Sequence, residues 1–176
     1  MLKQQILPIR IGIAGVSRAG KSHLARRLKA TLEQRGASVR LIHQDNYVKA
    51  PAQIPKILDQ VDWEHPDSID LPAYLRELQQ LDDSTDFLIA EGLLNFYFPA
   101  CCQCFDKALF VEISSATFFQ RKAQDFRWGV QPDWFKQHIW DSYLKYGKVH
   151  HFSHAPHRVD GAQAFDPSAI LEALRI

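Results

Sequence analysis

Eight consecutive residues near the start of the chain restrict its fold more than any other feature. Residues 15–22 are Gly-Val-Ser-Arg-Ala-Gly-Lys-Ser, which match the pattern GxxxxGK[ST] at every specified position. They follow a short, apolar, β-rich segment at residues 9–14 and precede leucines at every fourth position, Leu24, Leu28 and Leu32. A strand that leads through such a loop into a helix predicts a phosphate-binding loop in an α/β fold.

The chemistry of this loop follows from its residue types. Its glycines let backbone N–H groups turn toward phosphate oxygens, and the N-terminus of the next helix adds partial positive charge. We expect Lys21 to reach the β- and γ-phosphates of ATP and the Ser22 hydroxyl to bind Mg²⁺. The residues predicted to bind ATP here are Gly15, Val16, Ser17, Arg18, Ala19, Gly20, Lys21, Ser22 and His23.

The rest of the chain alternates between strand and helix patterns. Apolar, β-rich stretches predict strands at residues 9–14, 38–45, 86–92, 107–114 and 157–160. Helical periodicity and caps predict helices from residue 22 to a C-cap at Gly36 and at residues 72–81, 115–128, 132–147 and 167–174. This alternation predicts one three-layer α/β domain over residues 1–176, with a mainly parallel central sheet flanked by helices.

Composition excludes several classes of protein. With 46% apolar residues and a net charge of +1, the chain has a core but no basic surface for nucleic acid or an anionic membrane. Its start lacks the apolar segment of a signal peptide, and no run approaches the roughly 18 apolar residues of a membrane span. We expect a soluble, cytoplasmic protein that binds no nucleic acid and no membrane, and for which a monomer is plausible.

Cysteines and histidines occur in two short runs. Cys101, Cys102 and Cys104 are too crowded for a disulfide framework and suit a reducing compartment. Their spacing, taken with the histidines near residues 150–157, fits no zinc pattern. We expect a buried or partly buried connection at the cysteines and a solvated loop at the histidines.

Two carboxylates follow predicted strands, where ligands bind in parallel sheets. Glu91 ends the strand at residues 86–92, and we predict that it holds Mg²⁺ through water; a surface glutamate is the alternative. Asp45 follows the strand at residues 38–45 and is the predicted catalytic carboxylate, within reach of an acceptor hydroxyl and of the metal. The alternative for Asp45 is a turn cap.

An aromatic-acidic pair marks the acceptor side. Trp63 and Glu64 lie in a segment rich in proline and aspartate, residues 49–70, which we expect to be irregular. An exposed indole stacks on a base and a carboxylate accepts from two ribose hydroxyls, so the pair suits a nucleoside. A tryptophan that fills the core beneath a loop is the competing interpretation.

A basic cluster lies before a predicted mobile turn between two helices. Arg121, Lys122 and Arg127 suit a lid, at about residues 121–134, that clamps a transferring phosphate. A solvated helix face would give the same pattern. The aromatic-rich stretch after it is predicted to pack on the domain through Trp140, Tyr143, Leu144 and Tyr146.

These motifs together resemble the nicotinamide riboside kinase family, within the wider group of uridine kinases and phosphoribulokinases. The resemblance covers most of the chain and rests on GVSRAGKS, HQDNYVK, DWEHPDSID, LIAEGLLNF and WFKQHIWDSYLKY. It implies phosphorylation of the ribose 5′-hydroxyl of nicotinamide riboside by ATP and Mg²⁺, in NAD biosynthesis. A cationic pyridinium ring would also gain from a cation–π contact with Trp63, whereas a neutral uracil would gain less.

The resemblance assigns roles by position. Asp45 matches the acid–base residue near magnesium, Lys21 contributes to catalysis, and Ser22 matches a metal ligand. Positions near ATP are Arg121, Arg127 and Gly161, and the substrate positions are Asp45, Tyr47, Trp63, Glu64 and Lys122.

Three departures from the family pattern concern the substrate side. Val48 follows Tyr47 where a second aromatic is frequent, and Val130 stands where an aromatic commonly precedes Gln-Pro. Trp128 or Trp134 is a candidate for the missing ring. Lys122 replaces a usual arginine and loses its bidentate fork.

Two rival functions remain at the level of sequence. A uridine or cytidine kinase would use the same chemistry with a different base pocket. A non-enzymatic, regulatory ATP-binding module would bind nucleotide only to switch conformation. Against this module stands the full set Lys21, Ser22, Asp45 and Glu91, because a sensor needs no carboxylate on the acceptor side.

Overall fold

A parallel sheet forms the centre of the molecule in the computed structural model, which describes residues 8–80, 84–127, 129–148, 151–152 and 154–176. The strands are β1 (Ile9–Gly15), β2 (Val39–His43), β3 (Lys56–Ile57), β4 (Gln60–Val61), β5 (Phe87–Glu91), β6 (Lys107–Glu112) and β7 (His157–Asp160). The helices are α1 (Lys21–Gln34), α2 (Leu71–Gln79), α3 (Pro99–Cys102), α4 (Ser115–Ala123), α5 (Asp133–Ser142) and α6 (Pro167–Ala173). A π-helical turn, Tyr143–Gly147, continues α5.

The central sheet has five strands in the order β2-β5-β1-β6-β7, and every neighbouring pair is parallel. A parallel sheet must be covered on both faces, and its inner strands are accordingly apolar: Ile11, Ile13, Leu88, Ile89 and Leu109 are fully buried. Helix α1 packs on it through its leucine stripe, which is also buried. The predicted α/β fold with a parallel sheet flanked by helices is confirmed.

The order of the strands brings the polar strand ends together. The chain leaves β1 toward β2 on one side and later crosses to β6 on the other, so β1 lies at the point where the direction reverses. In register, Ile13 pairs with Glu91, and Glu91 pairs with His43. Ligands bind at such a switch point, beyond the carboxyl ends of the strands.

Several predicted bounds need correction. The helix predicted at residues 115–128 ends at Ala123, and the strand predicted to residue 114 ends earlier because Ser114 caps α4 by accepting from the N–H of Thr117. The cysteine connection contains the short helix α3, in which proline occupies the first turn. Leu144, predicted to be core, is 45% exposed. Its neighbour Tyr143 is buried as predicted, since a helix presents adjacent residues to different sides.

The segment before α2 is less irregular than its composition predicts. Strands β3 and β4 form a small antiparallel hairpin, and residue 48 forms an isolated bridge with residue 69. Leu58, at the hairpin turn, has a positive φ of 52° and is 74% exposed. Within the described ranges, no helix combines the length and the hydropathy that crossing a bilayer requires.

Candidate nucleotide and acceptor site

The loop between β1 and α1 has the backbone of a phosphate cradle. Gly15 has a φ of 148°, and a Cβ there would lie 2.2 Å from the Val111 carbonyl oxygen, so only glycine fits. Arg18 has a φ of 64°, in the left-handed region. The Lys21 ammonium donates to the Val16 carbonyl oxygen at 3.1 Å and so folds back over its own loop. A lysine above inward-turned backbone is the arrangement that fits phosphate oxygens.

A buried carboxylate lies beside this loop. The Ser22 hydroxyl donates to Glu91 Oε1 at 2.8 Å, and His43 Nδ1 lies 2.6 Å from the same oxygen. Glu91 is only 5% exposed, so the hydroxyl and the imidazole are its polar anchors in a mostly apolar strand end. A hydroxyl and a carboxylate oxygen side by side suit a hard cation such as Mg²⁺. The sequence places His43 in the motif HQDNYVK but predicts no role for it.

Asp45 lies in a 3-10 turn, Gln44–Asn46, directly after β2, and its side chain is exposed. The buried Gln44 anchors this turn, because its Oε1 accepts from the Leu94 N–H at 3.0 Å. Gly92 permits this approach, since a Cβ there would lie 2.4 Å from the Gln44 side chain. Asp45 is therefore held at the same edge as Glu91.

The electrostatics around Glu64 show which charged side chains are grouped together. Burial above all, together with the nearby carboxylates Asp45 and Asp62, raises the pKa of Glu64 to about 7. Lys122 and Lys21 act in the opposite direction. The charges of Lys21, Asp45 and Lys122, all predicted site residues, are therefore near enough to Glu64 to affect its ionisation.

The aromatic side chains predicted to contact the acceptor occupy different surroundings. Trp63 is 42% exposed, as expected for a stacking surface and not for a core residue. Tyr47 packs its ring on Tyr74 with centroids 5.4 Å apart. Trp134 is 39% exposed and meets Phe135 edge-to-face. Trp128 lies outside the described residues.

A histidine that the sequence did not single out supports the predicted acceptor segment, residues 49–70. His138 Nε2, on α5, lies 2.8 Å from Asp62 Oδ1, and Asp62 is 7% exposed. The same Oδ1 also accepts from the Glu64 N–H at 3.2 Å. Asp62 therefore joins the Trp63-Glu64 turn to α5.

Arg121 ties two parts of the nucleotide side together. Its Nη1 donates to the Arg18 carbonyl oxygen at 3.0 Å, and its Nη2 donates to the Gly161 carbonyl oxygen at 2.9 Å. A Cβ on Gly161 would lie 2.3 Å from the Ala19 carbonyl oxygen, so glycine lets this turn pack directly on the phosphate-binding loop. Arg121 thus holds backbone beside the nucleotide position.

The other two lid cations share one carboxylate, which sequence reasoning missed. Arg127 forms a bidentate pair with Asp125, at 2.7 and 2.8 Å, and Lys122 Nζ lies 3.7 Å from Asp125. Burial lowers the pKa of Lys122, while Asp125 and Glu64 raise it. Lys122 therefore lies between the lid and the acceptor segment.

A cavity of about 610 Å³ lies elsewhere, at the opposite edge of the sheet. It is lined by residues at the amino ends of β6 and β7 and by the end of α6, among them Lys107, His157 and Leu174. None of the site residues described above lines it, so volume alone does not identify the functional site.

Comparison with known proteins finds similarity to kinases. The chain is 37% identical over 73 residues to a nicotinamide riboside kinase of Schizosaccharomyces pombe, a match that covers 42% of the chain and 30% of that protein. It is 25% identical over 143 residues to a uridine kinase of Leuconostoc citreum, covering 66% of the chain and 68% of that protein. No protein-family model matches the chain.

A solved structure supports the fold. The structure titled as a possible uridine kinase from Bacillus stearothermophilus matches with a TM-score of 0.54 and 21% identity, over 78% of this chain and 82% of that chain. At this identity the likeness concerns the fold. Together the comparisons show that the chain is similar to uridine kinase-like P-loop kinases.

Proposed function

We propose that the chain transfers the γ-phosphoryl group of ATP, with Mg²⁺, to the ribose 5′-hydroxyl of nicotinamide riboside, which yields nicotinamide mononucleotide for NAD biosynthesis. The observation that carries this proposal is the group of polar strand ends beside the phosphate-binding loop, where the Ser22 hydroxyl donates to Glu91 Oε1 at 2.8 Å and Asp45 follows the neighbouring strand β2. Lys21 of the phosphate-binding loop and Asp45 both act on the pKa of Glu64, so a nucleoside held by Glu64 would lie beside the transferring phosphate. A site that only senses ATP would not require this second carboxylate next to the first.

Each side chain has a distinct part in the proposed reaction. Lys21 and the loop backbone hold the phosphates in line with the acceptor. Asp45 orients the 5′-hydroxyl and accepts its proton. Ser22 and Glu91 would hold Mg²⁺, and its chemistry there would be to neutralise charge on the phosphate oxygens. Arg127 and Lys122 balance the charge that develops during transfer.

The acceptor side supports a cationic base. Trp63 offers an exposed indole, and Glu64 lies next to it in the chain. An indole face attracts a pyridinium ring, at about 0.5–2 kcal/mol depending on solvent exposure. The partial similarity to a nicotinamide riboside kinase points the same way.

Uridine or cytidine is the second candidate acceptor. The similarity to a uridine kinase extends over more of the chain than the similarity to the nicotinamide riboside kinase, 66% against 42%. The proposed phosphoryl transfer is the same for either acceptor. Only the contacts to the base differ.

The direct test measures ADP release from ATP and Mg²⁺ with nicotinamide riboside, uridine, cytidine or no acceptor. We expect the highest kcat/KM with nicotinamide riboside, and Trp63→Ala should raise KM for nicotinamide riboside more than for uridine. If uridine or cytidine gives the highest kcat/KM, the assignment of the base pocket is wrong. If no acceptor increases ADP release, the kinase proposal itself fails.

The role of Asp45 has its own test. Asp45→Asn should lower kcat by about 10²–10⁴-fold, the usual contribution of a general base, with ATP affinity largely kept. Asp67→Asn is the matched control, because that carboxylate belongs to the same stretch of chain and is 70% exposed. Near-normal turnover in Asp45→Asn would remove Asp45 from the mechanism.

A further inference from the structure

One carboxylate collects cations from three different parts of the site. The Asp125 side chain, just after α4, is only 1% exposed. It accepts two hydrogen bonds from the Arg127 guanidinium, at 2.7 and 2.8 Å. Lys122 Nζ, in the last turn of α4, lies 3.7 Å from it, and Arg18 Nε, on the phosphate-binding loop, lies 3.8 Å from it. A single buried anion thus faces loop, helix and lid.

The three cations are not held equally. Only Arg127 has its charge matched by short hydrogen bonds, and its side chain is 60% exposed, so it can leave Asp125 without first crossing a packed core. Arg18 Nε is buried, and within the described part of the chain it has no hydrogen-bond partner. Lys122 lies near Asp125 but outside hydrogen-bond distance. Arg18 and Lys122 therefore carry positive charge beside the loop without a short hydrogen bond to Asp125.

The hydrogen bonds from Arg127 hold the pKa of Asp125 well below its usual range. Asp125 is therefore an anion at any pH at which the protein would work. A permanent anion among phosphate-facing cations has two effects. It fixes their positions, and it competes with phosphate oxygens for their charge.

We infer that Asp125 is a positioning residue that acts as an internal counter-anion, holding Arg18, Lys122 and Arg127 at the phosphate-binding loop and competing with bound phosphate for them. This inference rests on the proposed function only in assigning the loop to ATP. It does not depend on the identity of the acceptor. Asp125 touches neither reactant in this account and acts through the three cations.

The inference predicts an unusual response to loss of one charge. Asp125→Asn keeps the shape of the side chain and removes its negative charge. The substitution therefore ends the competition between Asp125 and phosphate for the three cations without creating a cavity. ADP and Mg-ATP should then bind about 3–10-fold more tightly, as expected for one charge removed at a partly solvated site. With an acceptor present, kcat should fall by tenfold or more, because the cations are no longer fixed and product leaves slowly. Structural damage would instead weaken binding and turnover together.

The experiment is calorimetric titration of ADP and Mg-ATP into the full chain without acceptor. Asp133→Asn is the matched control, because its carboxylate lies in the same stretch, is 99% exposed and pairs only with Lys136 among the described residues. It should bind like the unmodified chain. The double variant Asp125→Asn, Arg127→Gln should lose the gain in affinity, because Arg127 is the cation that the first substitution frees. A Kd for Asp125→Asn that is unchanged or higher overturns the inference.

Asp125→Glu provides a second test of the counter-anion if Asp125→Asn does not fold. Asp125→Glu retains the charge and should keep nucleotide Kd within about twofold, whereas a role in packing alone predicts that the longer side chain fails and the asparagine is tolerated. Loss of binding in Asp125→Glu counts against the counter-anion. Because the titrations use nucleotide alone, their results stand even if no nucleoside is phosphorylated.

Discussion

Two carboxylates of the site have pKa values displaced in opposite directions, and each displacement has a clear cause. Glu64 is desolvated and has Asp45 and Asp62 nearby, so its pKa rises to about 7 despite Lys122 and Lys21. Asp125 accepts hydrogen bonds from a guanidinium, so its pKa lies below the usual range. One group therefore changes charge near neutral pH while the other does not.

This difference predicts how nucleoside binding depends on pH. Ionised Glu64 can accept hydrogen bonds from two ribose hydroxyls, whereas the protonated form loses part of this capacity. With a pKa of about 7, the ionised fraction rises roughly tenfold between pH 6 and pH 8, and KM for the nucleoside should fall by about that factor. Steady-state kinetics at saturating Mg-ATP measures this, and Glu64→Gln should show no such dependence. A KM that rises with pH in the unmodified chain would contradict the assignment.

Stability supplies a control that needs no substrate. The folded-state pKa of Glu64 lies above its ordinary value of 4.5, so its contribution to stability is fully present below pH 4.5 and is lost as pH rises through about 7. Glu64→Gln should therefore raise Tm relative to the unmodified chain at pH 8 and leave it nearly unchanged at pH 4.5. An equal difference at both pH values would mean that the pKa of Glu64 is not raised.

At the scale of residues, the sequence singled out the motif residues but not their partners in the fold. Lys21, Ser22 and Asp45 stand in patterns whose chemistry is local to a few residues. Asp125 and His138 carry no such pattern, because each acts through a side chain that the fold brings near, across 107 residues in the pair Arg18–Asp125 and 76 in the pair Asp62–His138. Partners of this kind follow from tertiary packing, which one sequence does not specify.

At the scale of elements, a polar contact connects the predicted acceptor segment to α5. His138 meets the buried Asp62, and Asp62 accepts from the Glu64 N–H. The position of Glu64 therefore depends on a helix that begins beyond the lid. A buried carboxylate that loses its partner is costly, so the segment should shift when His138 is removed.

We predict that His138→Ala raises KM for the nucleoside by about tenfold or more, the effect of losing a hydrogen bond to a charged group. The Kd for Mg-ATP should stay within about twofold, because the contact lies on the acceptor side. Steady-state kinetics with the nucleoside measures KM, and titration with Mg-ATP measures Kd, so the two effects can be compared. Gln137→Ala, on the same helix, removes an exposed bond to Asp141 and should change neither value. Equal losses on both sides would mean that His138 supports the fold as a whole.

Elements themselves were predictable where a local signal marks both ends. Helix α1 begins at the phosphate-binding loop and ends before Gly36, which has a φ of 88°, so its bounds were correct. The helix before the predicted lid was predicted five residues too long, because no glycine or proline lies directly after its end at Ala123 to mark it in the sequence. The β3–β4 hairpin was missed because two-residue strands give no periodicity.

At the scale of the whole molecule, one buried side chain joins the centre of the sheet to a helix. Asn95 Nδ2 donates to the Ile13 carbonyl oxygen at 3.2 Å and to the Ala90 carbonyl oxygen at 2.9 Å. Its Oδ1 accepts from the Tyr74 hydroxyl, on α2, at 2.5 Å. The two carbonyls lie near the carboxyl ends of β1 and β5. The phosphate-binding loop follows β1, and Glu91 is the last residue of β5. Asn95 and Tyr74 are fully buried, so water cannot replace these bonds.

Asn95→Ala should therefore destabilise the whole fold and not only the site. It leaves the buried Tyr74 hydroxyl without its acceptor, at about 1–3 kcal/mol. It also removes one hydrogen bond from each strand carbonyl, although the Ile13 oxygen keeps the bond from the Gly92 N–H. We therefore expect a loss of about 3 kcal/mol in unfolding free energy. For a chain of this length that corresponds to a Tm lower by roughly 6–12 °C. Urea unfolding and calorimetry measure both.

Tyr74→Phe is the graded comparison, because it removes one hydroxyl and keeps both bonds from Asn95 Nδ2 to the strands. It should cost less than Asn95→Ala, and the double variant should cost less than the two single losses added, since the two side chains share one hydrogen bond. Strict additivity, or a larger loss in Tyr74→Phe, would show that Asn95 does not join the sheet to α2. The predicted order follows from geometry alone, because the strand carbonyls lie at the centre of the fold and the hydroxyl belongs to a helix packed on it.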